Sequence, residues 1–258
     1  MNGDPVLPSR PFTANELREF LRANPDCERI HLFAEPSLEP VCARFGFIRH
    51  IARPIVSLDL SLPEETLWSD LRGKRRNGIR YARKHDVVVE VATPAARDGA
   101  IKVFLDGYGA KHGIPAERIC PSVAYWIDRR NLLLARLGDR GPVIACVSSL
   151  DGHDMSGPSK HFQPGVYSLY SANSSLLEYQ KYKPNDLLVW EAALRAKAAG
   201  YQRFVLGSRD AQFKREFSRG HIVVNEWVRR KSLVARLVAK VPFWPIRGDK
   251  EKSPGWGL

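Results

Sequence analysis

The stretch YQRFVLGSRDAQFKREFSRG, residues 201–220, decides the fold. Its apolar run Phe204-Val205-Leu206 predicts a short strand ending at Gly207-Ser208, after which Phe213-Lys214-Arg215-Glu216-Phe217 brings a lysine between two phenylalanines to a sheet edge. Immediately upstream, NDLLVWEAALRAKAA, residues 185–199, sets Leu187, Leu188, Trp190, Glu191, Leu194 and Ala198 on a helical repeat, and Gly200 follows as a C-terminal cap. A helix, a tight turn and a strand are therefore expected in that order.

Working outward, 258 residues with 44% apolar side chains allow one large domain or two modest ones around a true core. The formal charge of +12 favours an anionic partner: nucleic acid, a phosphorylated small molecule or a membrane surface. Cys27, Cys42, Cys120 and Cys146 are scattered without a C-x-x-C pair, so neither a zinc site nor a disulfide framework is indicated, and a reducing cytoplasm fits best. The N-terminus has no basic flank or apolar run, and no segment reaches the ~18 apolar residues of a spanning helix. His112, His153 and His161 are not paired in any metal or triad spacing. Gly-x-Ser-x-Gly, H-E-x-x-H, Walker and dinucleotide patterns are absent, which removes hydrolase, metalloenzyme and NTPase classes.

Along the chain, Thr13 and Glu16 form a capping box for a helix over 13–24, a strand follows over 29–34, and a short helix over 36–44 ends at Gly46. Residues 47–60 alternate as one or two strands, and Ser61 with Glu64 makes a second capping box opening a helix toward His85. Residues 87–92 are a strand, and helices are expected over 97–113 and 121–130. Strands over 132–137 and 143–150 meet through the Gly138-Asp139-Arg140-Gly141 turn as a hairpin. Residues 151–165, rich in Gly, Pro, Ser and His, read as a mobile loop beside the site, and 166–172 as a strand. From Ser232 on, Leu233, Leu237, Val238 and Val241 make an apolar helical stripe bordered by basic residues, a pattern suited equally to an anionic membrane and to the protein's own body.

The order Pro184-Asn185-x-Leu187-Leu188-x-Trp190-Glu191, then Ala199-Gly200-Tyr201, then a strand ending at Gly207, then Phe213-Lys214-x-x-Phe217, resembles the Fem-type transferases that build peptidoglycan cross-bridges. That family belongs to the GNAT-like acyltransferase superfamily. The resemblance implies an α/β (α+β) fold with a mixed central sheet flanked by helices. Residues 1–92 resemble only the latter half of a first GNAT-like unit, 93–231 a complete second unit, and 232–258 a C-terminal amphipathic helix and tail.

Residue by residue, the resemblance makes Lys214 the first candidate, because the family's lysine in a Phe-Lys-x-x-Phe setting faces the acceptor cleft. An ordinary exposed lysine is the bland alternative. Tyr170, Ser171 and Asn173 end the neighbouring strand and are candidates to hydrogen-bond an acceptor amide or a developing oxyanion, although a polar strand end explains them equally well. Phe213, Phe217, Tyr182 and Asn185 complete the candidate substrate-binding set, Glu191 stands likewise, and Trp190 suits a core better than a substrate platform.

Residues 72–84, RGKRRNGIRYARK, carry Arg72, Lys74, Arg75, Arg76, Arg80, Arg83 and Lys84 with no acid among them. They cannot all be neutralised by i,i+4 partners, so they predict a positive surface, either a solvated helix face or a phosphate-docking stripe. A similar segment in the Fem family favours docking. The reaction so implied is attack of an amine on an activated carbonyl, with no covalent enzyme nucleophile, no metal and no cofactor. The expected donor is aminoacyl-tRNA and the acceptor an amine-bearing peptide or cell-wall precursor, in the cytoplasm or peripherally at the inner membrane face. Two alternatives stay open: an acyl-CoA donor, for which Arg75-x-x-Gly78-x-Arg80 is an imperfect phosphate loop, and a non-catalytic basic module binding RNA or an anionic membrane.

Overall fold

Thr13 caps the first helix as its spacing predicts: its Oγ1 accepts from the Glu16 backbone N–H while the Glu16 carboxylate accepts from the Thr13 N–H at 2.9 Å. The computed structural model describes residues 13–25, 29–33, 38–151, 167–208 and 212–229. In chain order these form α1 (Ala14–Ala23), β1 (Arg29–Phe33), α2 (Glu39–Arg44), β2 (Phe47–Asp59), α3 (Glu64–Asp70), α4 (Gly73–Lys84) and β3 (Val87–Val91). Next come α5 (Arg97–Val103), a π turn (Phe104–Gly109), α6 (Ala110–His112), α7 (Ala116–Asp128), β4 (Leu132–Leu137), β5 (Val143–Asp151) and β6 (Tyr167–Ser175). A 3-10 turn (Leu177–Tyr182), α8 (Pro184–Ala198), β7 (Arg203–Ser208), α9 (Gln212–Arg215) and β8 (His221–Arg229) follow.

The eight strands among the described residues join one sheet in the order β1-β8-β2-β7-β6-β5-β4-β3. Every pairing is antiparallel except β6 with β7, which α8 connects as a parallel crossover, so the sheet is mixed and flanked by helices as expected. One face buries Leu67, Ile79, Leu188, Trp190, Phe204 and Phe217 under α3, α4 and α8, and the other buries Phe104, Val123, Trp126 and Leu132 under α5 and α7. The first core draws on residues from both sides of position 92, since Leu58 and Leu71 pack with Leu133 and Val147.

Several local expectations need correction. Ser61 donates its hydroxyl to Asp59 Oδ1 at 2.7 Å instead of capping a helix, and α3 starts after Pro63 with no side-chain cap. The single helix expected to run to His85 is two, because Leu71 takes an extended ψ of 137° and breaks it ahead of α4. The helix expected over 97–113 contains the π turn, α7 begins at Ala116 with Pro121 inside it, and β6 runs three residues past Ala172. Phe213-Lys214 lies on the helical turn α9 and not on a strand exit, while β8, which sequence patterning overlooked, fills the place between β1 and β2. Residues 152–166 and those from 230 onward, including the expected site loop and C-terminal amphipathic helix, lie outside the described residues.

Candidate active site

Parallel pairing between β6 and β7 covers only Tyr167↔Arg203, Ser168↔Phe204 and Leu169↔Val205, although β6 continues to Ser175 and β7 to Ser208. Beyond Leu169 the two strands part, so their facing edges carry backbone N–H and C=O groups that do not bond one another. Each strand carries a bulge at the parting: the register skips between Ser148 and Ser149 opposite Ser171, and between Val56 and Ser57 opposite Leu206. The extra residue on β6 reverses its alternation. Tyr170 packs toward α8 and Ser175 accepts from Asn185 Nδ2 of that helix at 3.0 Å, whereas Ala172 joins the opposite core and Ser174 donates to the Val103 carbonyl at 2.7 Å.

Two elements converge on Tyr170. From α9, the Lys214 ammonium stands over its ring, 5.5 Å from the centroid. From the π turn, Tyr108 comes close enough to add its charge to the burial that pushes the Tyr170 hydroxyl far above the usual tyrosine range. Burial raises Tyr108 as well. The turn approaches β6 through Gly107, where any Cβ would overlap the Ser174 hydroxyl, and π turns of this kind recur at functional sites. Tyr108 also packs its ring 4.6 Å from that of His112, which is exposed. Tyr170 thus stays a neutral hydrogen-bond donor at physiological pH, beside a cation, where two strands separate. Such a pair suits a developing oxyanion. Tyr108 was not among the sequence candidates, and its only signal, a Gly-Tyr-Gly run inside a helical repeat, is weak.

Beside this opening lies an ion cluster. Arg75 points inward from α4: Nε and Nη2 donate to Glu216 Oε2 at 2.8 and 2.5 Å, and Nη1 donates to Asp186 Oδ1 at 2.5 Å. Its guanidinium also lies 4.6 Å from the centroid of Phe213 and 5.7 Å from that of Phe217. Gly78 makes this possible, because a Cβ there would overlap the Asp186 carboxylate at the first turn of α8. Burial raises the Asp186 carboxyl despite Arg75. For Glu216 burial also pushes upward, but the hydrogen bonds from Arg75 and Gln212 outweigh it and hold the carboxyl below its usual range.

The structure therefore divides the candidates. Lys214, Tyr170, Phe213, Ser171 and Asn173 gather at or next to the opening, Ser171 and Asn173 both half-buried. Asn185 immediately precedes Asp186 in the first turn of α8, and its Oδ1 is buried with no hydrogen-bond partner among the described residues. Phe217 is 1% exposed and belongs to the core, which corrects its expected contact with substrate. Trp190, equally buried, meets Trp68 edge to face at 5.2 Å. Tyr182 has its ring 6.0 Å from that of His85, which caps the C-terminus of α4. Two of the cations expected on a positive surface over residues 72–84 are paired with acids from distant segments: Asp186 and Glu216 for Arg75, and Glu191 for Arg83 at 2.8 Å. Arg76 caps the end of α3, donating to the Ser69 and Leu71 carbonyls at 2.8 and 2.5 Å. Arg72, Lys74, Arg80, Arg83 and Lys84 keep an exposed face.

Buried thiols supply no nucleophile here: burial raises Cys42 to about 12 and Cys146 higher still, so both stay protonated. Among the described residues no group of three or more His, Cys, Asp or Glu side chains has the arrangement to hold a metal, and no helix is long and apolar enough to cross a membrane.

The acetyltransferase (GNAT) domain family matches residues 69–215, more than half the chain and all of the elements just described from α4 to α9. Among solved structures, FemX superposes with a TM-score of 0.63 at 11% identity, over 91% of this chain and 81% of that one. The C-terminal domain of a putative lysylphosphatidylglycerol synthetase from Agrobacterium fabrum gives 0.55 at 16% identity, over 87% and 75%. The L-PGS structure from Bacillus licheniformis gives 0.51 at 11%, with the same coverage. At these identities the likeness is one of fold. No curated protein matches the sequence.

Proposed function

Since this chain belongs to the acetyltransferase (GNAT) domain family, we propose that it is an acyltransferase that forms an amide by moving an aminoacyl group from aminoacyl-tRNA to the amine of a peptide or cell-wall precursor. The observation that carries this reading is the Lys214 ammonium over the Tyr170 ring where β6 and β7 separate. The amine lone pair attacks the ester carbonyl, a C–N bond forms, and the carbonyl π pair moves to oxygen. Collapse of that oxyanion breaks the C–O bond and releases the carrier's hydroxyl, while the amine loses its proton. Direct aminolysis of this kind needs aligned reactants and a stabilised oxyanion more than a covalent intermediate. Lys214 and the protonated Tyr170 are the groups for the oxyanion, and the exposed cations of α4 suit a polyanionic carrier.

The family's description as acetyltransferases favours an acyl-CoA donor as a second reading. Against it, the segment joining β6 to α8 contains no glycine, and a buried carboxylate, Asp186, already occupies the first turn of α8 where a pyrophosphate would sit. Gly78, the glycine of the nearest phosphate-loop match, lies inside α4 and serves the approach of Asp186.

The test is incubation with a charged tRNA pool and, separately, an acyl-CoA pool, with mass spectrometry of peptides and cell-wall precursors. An aminoacyl mass increment that requires charged tRNA is expected. An increment from acyl-CoA alone moves the donor to the second reading, and none from either pool leaves a binding module.

A further inference from the structure

One surface feature lies outside the strand opening. Tyr81 on α4 stacks on His85 one turn later, with ring centroids 3.9 Å apart and planes 26° apart. His85 in turn neighbours Tyr182 at 6.0 Å, and Tyr182 neighbours Tyr179 at 6.4 Å, both from the 3-10 turn ahead of α8. The row is held from below: His85 Nδ1 donates to the Tyr81 carbonyl at 2.9 Å, since a carbonyl only accepts, and Tyr179 packs against both main cores. Its outer end is open, because Tyr81 keeps 43% of its surface exposed.

Cations border the row. Lys181 sets its ammonium 5.1 Å from the Tyr182 centroid, Lys84 is exposed on α4 one turn after Tyr81, and Lys183 is exposed next to Tyr182, while Arg80, also exposed, holds its guanidinium 5.4 Å from the centroid of Trp68. Exposed acids are also present at Asp86 and Glu178, so cations outnumber acids here without excluding them. An open ring at the end of a stacked row, with cations alongside, is what an unpaired base needs: the base has a face to add to the stack, and the phosphates find ammonium groups. A duplex hides those faces. A membrane would ask for a contiguous aliphatic patch, whereas Leu62 and Leu177, the exposed large aliphatic side chains among the described residues, sit on separate elements.

We propose that the Tyr81–His85–Tyr182 row is a stacking platform for single-stranded nucleic acid. The proposal rests on the donor reading above, to which it adds a place where unpaired bases of a charged tRNA would lie.

The test is fluorescence anisotropy with a short labelled RNA lacking self-complementarity, a duplex of equal length, and phosphatidylglycerol vesicles, across a salt series. Tyr81→Ala and Tyr182→Ala should each weaken single-strand binding about 5- to 150-fold, Tyr81→Phe and Tyr182→Phe should bind as the parent does, and the duplex should respond little to any of them. Lys181→Ala and Lys84→Ala should instead reduce the slope of log affinity against log salt by about 0.7 per lost contact. A melting curve for each variant separates lost binding from lost fold. The proposal is overturned if folded ring variants bind single strands like the parent, if ring loss weakens duplex and single strand equally, or if vesicles bind and RNA does not. Should acyl transfer run from acyl-CoA alone while RNA binding still depends on the rings, the donor reading fails and the platform stands.

Discussion

Two cations meet on either side of the short helix α9, and their surroundings are opposite. Arg75 lies against Phe213 and is locked between two carboxylates, its side chain 11% exposed, whereas Lys214, the next residue along, sets its charge over Tyr170 where the sheet opens. The first arrangement joins α4, α8 and the segment after α9 into one unit, and the second faces the place where a ligand could lie. On the proposed function, the first charge is a strut and the second an instrument, and each lies against an aromatic ring.

The sharpest way to break that comparison is Arg75→Ala. Removing one member of a buried ion cluster leaves Asp186 and Glu216 uncompensated, so a loss of about 3–5 kcal/mol is expected in chemical denaturation. Lys214→Ala should do the reverse, lowering the rate of amide formation about 30-fold to nearly 1000-fold, for a lost contact of roughly 2–4 kcal/mol, while stability moves by less than about 1 kcal/mol. Lys214→Arg should recover part of the rate, since it keeps the charge but not the compact ammonium. If both Ala variants unfold alike, or if both fold and lose rate alike, the division between strut and instrument is wrong.

The smallest effect is on pH dependence. Glu216 is held below its ordinary value of 4.5, so its contribution is complete above that value and is lost as the pH falls through its lower folded value. Asp186 is held above its ordinary 3.8, so its contribution is complete below 3.8 and is lost as the pH rises through its folded value. Stability measured across the acidic range should therefore show a shallow acid limb that flattens in Glu216→Gln and steepens in Asp186→Asn. Equal slopes in all three proteins would mean that Arg75 does not discriminate between its two carboxylates.

The helix over 185–199, the hairpin through Gly138–Gly141 and the Thr13 cap were legible because each depends on neighbours in sequence. Gly141 is a clear case, as a Cβ there would run into the Leu137 carbonyl. Lys214 beside Tyr170 was also reachable, through motif order rather than through any local rule. What escaped was decided at long range. Nothing near Arg75 shows that its partners lie 111 and 141 residues away, and nothing near Ser171 shows that β5 will force a bulge there. The π turn that presents Tyr108 has the same apolar repeat as an ordinary helix. The strand β8 is the exception, since Ile222, Val223 and Val224 carry a local β signal for it.

The position of β8 bears on how the chain reaches its fold. β1 bonds to the rest of the sheet only through β8, with Arg29 opposite Val228 and Phe33 opposite Val224, and β2 has β8 as one of its two neighbours along nearly its whole length. On a ribosome, the first strand to be made must wait for the last of the described strands before it has anywhere to go. Its pairing closes a loop of about 190 residues, from Phe33 to Val224, a slow event by loop-closure entropy. Until then β2 presents a long unpaired edge, the kind of template on which nascent chains associate with one another.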